Sequence, residues 1–152
     1  MRSTEFLQRC ADDVRAALPA QYAGFETLNM GFLIKIFYGS PGGKVPGVHY
    51  EVALRNNGFV EIGLHFEAGK QTNDRLLRYF SDHALDVISQ LGPQVEIEQW
   101  TKSWGRVHQT LPYTTPNEHL LSLVSKRMAG MITVLQPMLD EIAVDETAVE
   151  EA

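Results

Sequence analysis

The chain has 152 residues, is 44% hydrophobic and 21% charged, and carries a formal net charge of −6 with one cysteine. That length suits a single domain able to bury roughly two thirds of its unfolded surface. A lone cysteine excludes an internal disulfide and a cysteine-built metal cage, no apolar run reaches the ~18 residues of a membrane span, and MRSTEFLQRC lacks a signal core, so the expected setting is a reducing cytoplasm.

Ser3 as N-cap, with Phe6, Cys10, Val14 and Leu18 at helical spacing, predicts a helix over 4–18 that Pro19 stops. Cys10 lies on its apolar stripe and reads as a buried structural thiol rather than a nucleophile. Residues 19–30 read as a connector. GFLIKIFY, residues 31–38, is β-branched and aromatic and predicts a strand that is apolar on both faces apart from Lys35. GSPGGKVPG (39–47) is a loop, and its Gly43-Lys44 fails the phosphate-loop pattern, with Tyr38 at the first glycine position and Val45 in place of the Ser/Thr.

Residues 48–67 predict a hairpin. Val48, Tyr50, Val52 and Leu54 alternate with His49, Glu51, Ala53 and Arg55; Val60, Ile62, Leu64 and Phe66 alternate with Phe59, Glu61, Gly63 and His65. Such alternation marks strands buried on one face. A two-residue Asn57-Gly58 turn would pair Leu54 with Glu61 and mix the faces. A three-residue loop, Asn56-Asn57-Gly58, pairs Leu54 with Val60, Val52 with Ile62 and Tyr50 with Leu64, so the pattern selects it, with Gly58 left-handed. It also sets His49 opposite His65.

Thr72 or Asn73 then caps a helix reaching Leu91, striped by Leu77, Phe80, Ala84, Val87, Ile88 and Leu91 and ended by Gly92-Pro93. His83 beside the stripe reads as a surface or packed histidine. VEIEQW (95–100) and WGRVHQTL (104–111) predict a second hairpin, with Val95, Ile97, Val107 and Leu111 inward and Glu96, Glu98, Arg106 and His108 outward. Trp100 and Trp104 flank its turn and are expected to cover a sheet edge or an interface. Thr115, Pro116 and Glu118 predict a capped start for the last helix, which carries a wide apolar face and Pro137. Its methionines read mainly as core filling, with Met128 and Met131 as candidates for a dimer interface. Asp145, Glu146, Glu150 and Glu151 make 144–152 an expected acidic, disordered tail, and without them the net charge is −2.

The predicted order is α-β-β-β-α-β-β-α, an α+β domain over 1–143 with a largely antiparallel sheet and helices on one face. The opposite face gathers Lys35, His49, Glu51, Arg55, Glu61, His65, Glu96, Glu98, Arg106 and His108. Histidines and carboxylates on adjacent strands suit a divalent transition metal, with His49, Glu51 and His65 as candidate ligands, and suit acid–base work. The plain alternative is a solvated or dimer-covered sheet face, or one whose histidines respond to pH. None of the usual hydrolase, zinc-protease, dithiol or dinucleotide motifs occurs, no cofactor is called for, and the scattered basic residues show no nucleic-acid footprint, although local patches decide such binding.

YEVAL (50–54), VEIGLHF (60–66), an N-x-x-L-x-x-x-F helix start at Asn73, VEIEQW and KSWGRV give 48–142 a resemblance to an uncharacterised bacterial domain family found behind nuclease-like domains. The resemblance implies an accessory or binding role near defence or nucleic-acid systems. The first six elements also resemble the core order of the PD-(D/E)XK nucleases. There Glu51 and Glu61 would supply the two acids, but Gly63 stands at the lysine position and Lys70 lies beyond the strand, so the implied site is degenerate. The order is similar, too, to the type III secretion chaperones, which implies a dimer. The expectation is therefore a non-catalytic, homodimeric protein-binding module, with a metal-dependent nuclease-like hydrolase as the rival.

Overall fold

The structure, a computed structural model, describes residues 1–39 and 47–142 in full and the backbone of 143–151. The expected Gly/Pro loop between those spans lies outside the described residues. The elements are α1 (Ser3–Ala17), a 3-10 turn (Ala20–Tyr22), β1 (Glu26–Asn29), β2 (Leu33–Phe37), β3 (Val48–Leu54), β4 (Phe59–Phe66), α2 (Lys70–Asp82), α3 (Ala84–Leu91), β5 (Glu96–Gln99), β6 (Gly105–Pro112) and α4 (Glu118–Glu151). Helix α4 is helical backbone to Glu151; the expected tail over 144–152 otherwise lies outside the described residues. Among the described residues no helix is long and apolar enough to cross a membrane.

One antiparallel sheet runs in the order β1-β2-β3-β4-β6-β5, with the helices on one face. The fold is α+β. At its centre β3 and β4 pair Leu54 with Val60, Val52 with Ile62, Tyr50 with Leu64 and His49 with His65. The Arg55 N–H donates to the Phe59 carbonyl at 2.9 Å, closing a three-residue loop in which Gly58 has φ +83°. A left-handed residue there costs glycine nothing and other residues a clash. The inward side chains of this hairpin join Phe6, Leu7, Val14, Val124, Met128, Met131 and Ile132 in one core. Phe80 of α2 stacks on Phe66 at 5.6 Å, and the Tyr50 hydroxyl donates to Gln136 Oε1 of α4 at 3.0 Å, so a buried hydroxyl keeps its partner.

Several expectations are corrected. Residues 26–29 are an edge strand, not connector: its residues are all exposed or half-buried, so it carries no apolar alternation for a sequence reading to find. The Asn29 side chain fixes it, donating to the Thr4 carbonyl at 3.0 Å and accepting from the Gly31 N–H at 2.9 Å. The helix expected to reach Leu91 unbroken divides at His83, whose backbone leaves helical geometry and whose Nδ1 lies 2.8 Å from the Tyr79 carbonyl. Ser3 does not cap α1, which has Arg2 in that position without a side-chain bond. Neither Thr72 nor Asn73 caps α2; Asn73 instead bonds both backbone groups of Ala68 and the Ser103 carbonyl. Asn117, not Thr115, caps α4, its Oδ1 accepting the Leu120 N–H at 2.9 Å. Met128 and Met131 are buried in the core beneath the sheet.

Cys10 is also buried, and burial pushes its thiol up to about 12. The folded chain is predicted to resist a thiol reagent at neutral pH and to react fully once unfolded in denaturant, because the thiolate is the nucleophile. Rapid labelling of the native chain would contradict this burial.

Candidate functional site

The pairing registers dictate which side chains share the helix-free face. Lys35, Glu51, Gly63, His108 and Glu96 stand in one row across the strands, and His49, His65, Arg106 and Glu98 stand in the next. The structure therefore brings His49, Glu51, Glu61, His65, Arg106 and His108 together. It differs from the sequence reading on their environment. His49, Glu51, Glu61, His65 and His108 are each at most 5% exposed. A charge taken out of water must be paired or bound, so this face belongs to the interior's energetics rather than to a wet surface.

Trp100 is part of the cover. Its ring meets His65 edge-on at 5.5 Å, and the Arg106 guanidinium lies 4.4 Å over it. Trp104 leans on Trp100 at 5.9 Å and is 37% exposed. Trp100, read from sequence as an edge or interface residue, thus roofs the polar face of its own chain.

Glu61 is the hub. Its Oε2 accepts Arg55 Nη2 at 2.6 Å, and its Oε1 accepts Arg106 Nη1 and lies 3.2 Å from His65 Nε2. Arg106 also donates through Nε and Nη2 to Glu98 Oε1 at 2.9 and 2.7 Å. On the other side His65 Nδ1 lies 2.9 Å from Glu67 Oε2, and His49 Nε2 lies 3.2 Å from Glu51 Oε1. Glu67 was absent from the sequence reading. The alternation that selects Glu61, Gly63 and His65 continues to it, and only its place beyond the last apolar residue of the strand hid it.

Burial alone would raise the Glu61 pKa, but the His65 hydrogen bond and the two guanidiniums outweigh it and hold the carboxyl at about 2, from an ordinary 4.5. Burial would lower His65; its bonds to Glu61 and Glu67 win and raise it from 6.5 to about 9. Glu67 is lowered against its burial by His65 and His49, while His108 is lowered by burial and then by Arg106. Linkage fixes the signs. The Glu61 contribution to stability is present above pH 4.5 and is lost as pH falls through about 2; that of His65 is present below 6.5 and is lost as pH rises through about 9. His108, depressed, adds to the acid-side loss. Urea midpoints measured across this range should peak in mildly acidic to neutral solution and fall on both sides. A flat profile would mean that these groups titrate as they do in the unfolded chain.

Two groups bring possible metal-ligand atoms within 4.8 Å of one another: His49, Glu51, His65 and Glu67, and, at the β5 edge, Glu96, Glu98 and His108. Both ring nitrogens of His108 lack a hydrogen-bond partner, although Nε2 is 2.9 Å from Glu98 Oε1. The distance is short, but the contact does not meet hydrogen-bond geometry. The lysine position of a PD-(D/E)XK site is closed: a Cβ on Gly63 would lie 2.7 Å from His108 Cβ and 2.9 Å from the Val107 carbonyl. No family model, curated protein or solved structure matches the chain.

Proposed function

We propose that this chain is a non-catalytic binding module that acts as a homodimer through the free edge of its sheet. The β1–β2 hairpin carries the reading: Leu28, Met30 and Phe32 are 52%, 48% and 54% exposed there. Among the described residues β1 pairs only with β2, so one row of its backbone N–H and C=O groups faces outward. Proteins that work alone blunt such edges with charge or proline, whereas an apolar free edge is a template for pairing. Antiparallel pairing of two β1 strands about a twofold axis would join two sheets and cover these side chains on both subunits.

The polar face supports the non-catalytic half of the reading. Both oxygens of Glu61 are engaged by guanidiniums, and no side chain fits at position 63, so the acid and lysine of a nuclease-like hydrolase have no place to act. The resemblance to domains that follow nuclease-like domains adds an accessory role to this proposal, and the single buried thiol suits a cytoplasmic setting.

Size-exclusion chromatography with light scattering tests the reading. A dimer of twice the 17.1 kDa chain mass is expected, and Phe32→Glu should yield a folded monomer with little change in melting temperature. A wild-type chain that stays at 17.1 kDa when concentrated would refute the dimer.

A further inference from the structure

We propose that His49, Glu51, His65 and Glu67 form a buried site for one divalent transition-metal ion of the zinc class. The spacing of the ligand atoms fits a tetrahedral ion. Four ligands about 2.1 Å from a tetrahedral ion lie about 3.4 Å from one another. His49 Nε2 is 3.2 Å from Glu51 Oε1 and 3.8 Å from Glu67 Oε2, His65 Nδ1 is 2.9 Å from Glu67 Oε2, and one ligand atom from each of the four residues lies within 4.8 Å of the others. These separations straddle the tetrahedral edge, so small side-chain rotations suffice and no strand has to move.

The orientation of His65 also suits a metal ligand. A ligating imidazole characteristically gives its other ring N–H to a carboxylate, which fixes its tautomer and aims its lone pair. His65 Nε2 lies 3.2 Å from Glu61 Oε1, and Glu61 is itself clamped by Arg55 and Arg106. That leaves Nδ1, whose proton the ion would displace on binding, turned toward Glu67 and Glu51. The β3–β4 register holds the histidines as a cross-strand pair, with ring centroids 5.7 Å apart. Glu51 Oε2 also meets Arg55 at 3.3 Å, leaving Oε1 for the ion.

Two imidazoles with two carboxylates select zinc-class ions over Mg²⁺ or Ca²⁺, which favour all-oxygen shells. Four protein ligands close the shell, as in structural rather than hydrolytic centres. The ion would therefore cross-link β3 and the end of β4, consistent with a non-catalytic module but independent of whether that module dimerises. The Glu96, Glu98 and His108 group is the poorer cage. Its Glu98 Oε1 is already taken by the Arg106 fork, and the Glu96 side chain is 66% exposed.

The test uses the full chain after chelator treatment, titrated with Zn²⁺ by calorimetry and with Co²⁺ by visible absorption. One ion per chain, a rise in melting temperature with Zn²⁺, and the intense Co²⁺ bands of four-coordination are expected. Glu67→Gln, at the rim of the cluster and so least threatening to folding, should weaken Zn²⁺ at least tenfold, in line with loss of one ligand, and His49→Gln should abolish it. His108→Gln should leave it unchanged. A folded chain that takes up neither ion at micromolar concentration would overturn the proposal. So would Zn²⁺ affinity that survives Glu67→Gln and His49→Gln, or that is lost in His108→Gln, since either outcome would place the ion elsewhere.

Discussion

Gly63→Ala is expected to destabilise the chain by about 3 kcal/mol, a fall of about 10 °C in melting temperature for a domain of this size. Position 63 lies in a central strand, flanked by Glu51 on β3 and His108 on β6. An added Cβ there meets the Val107 carbonyl at 2.9 Å as well as His108 Cβ, and a backbone atom in the middle of a sheet cannot step aside. Either β4 and β6 separate or the His108 ring leaves its place. Gly63→Lys, which would restore the residue a PD-(D/E)XK enzyme needs, should be worse still and fail to fold. Gly24→Ala is the control, since nothing lies within 4 Å of its added carbon, and it should shift the melting temperature by no more than a degree or two. Equal effects at the two glycines would show that the face at position 63 is looser than described.

Glu61→Ala should cost more, on the order of 3–5 kcal/mol. The magnitude comes less from the missing hydrogen bonds than from the charges left behind. Arg55, Arg106 and His65 all lean on this carboxylate, and its removal leaves them without their shared counter-ion, His65 fully buried and the two guanidiniums partly so. Glu61→Gln, similar in shape but uncharged, should fall between wild type and alanine. Glu118→Ala offers the contrast: its pair with Arg9 is equally short at 2.6 Å but stands in solvent, where screening and side-chain entropy remove most of the gain, so little change is expected. Urea denaturation of the three variants ranks them. Glu61→Ala behaving like Glu118→Ala would mean that the sheet face is wet.

The central hairpin was legible in the sequence because two independent signals agreed. Alternation chose the face of every residue, and the Asn-Asn-Gly loop was the one length that kept the faces consistent, so the pairing of His49 with His65 followed. Strand β1 was not legible, since ETLN has one apolar residue and is held by an Asn29 side chain and by the neighbouring strand rather than by its own pattern. The site was half legible. Period-two patterning says which side chains share a surface, but not whether that surface is covered. The cover depends in part on Trp100 turning back over His65, a long-range contact that no local pattern announces. Met128 and Met131 show the converse: an apolar stripe fits a core and an interface equally well, and only the sheet packed against it decides.

The polar face is interior, with Glu61 and Arg106 a largely desolvated pair at its centre. A double-mutant cycle with Glu61→Gln and Arg106→Met isolates that pairing from the cost of stranding either partner. A coupling energy of at least about 2 kcal/mol is expected, well beyond what exposed pairs give. A coupling below about 0.5 kcal/mol, the range of exposed ion pairs, would contradict it.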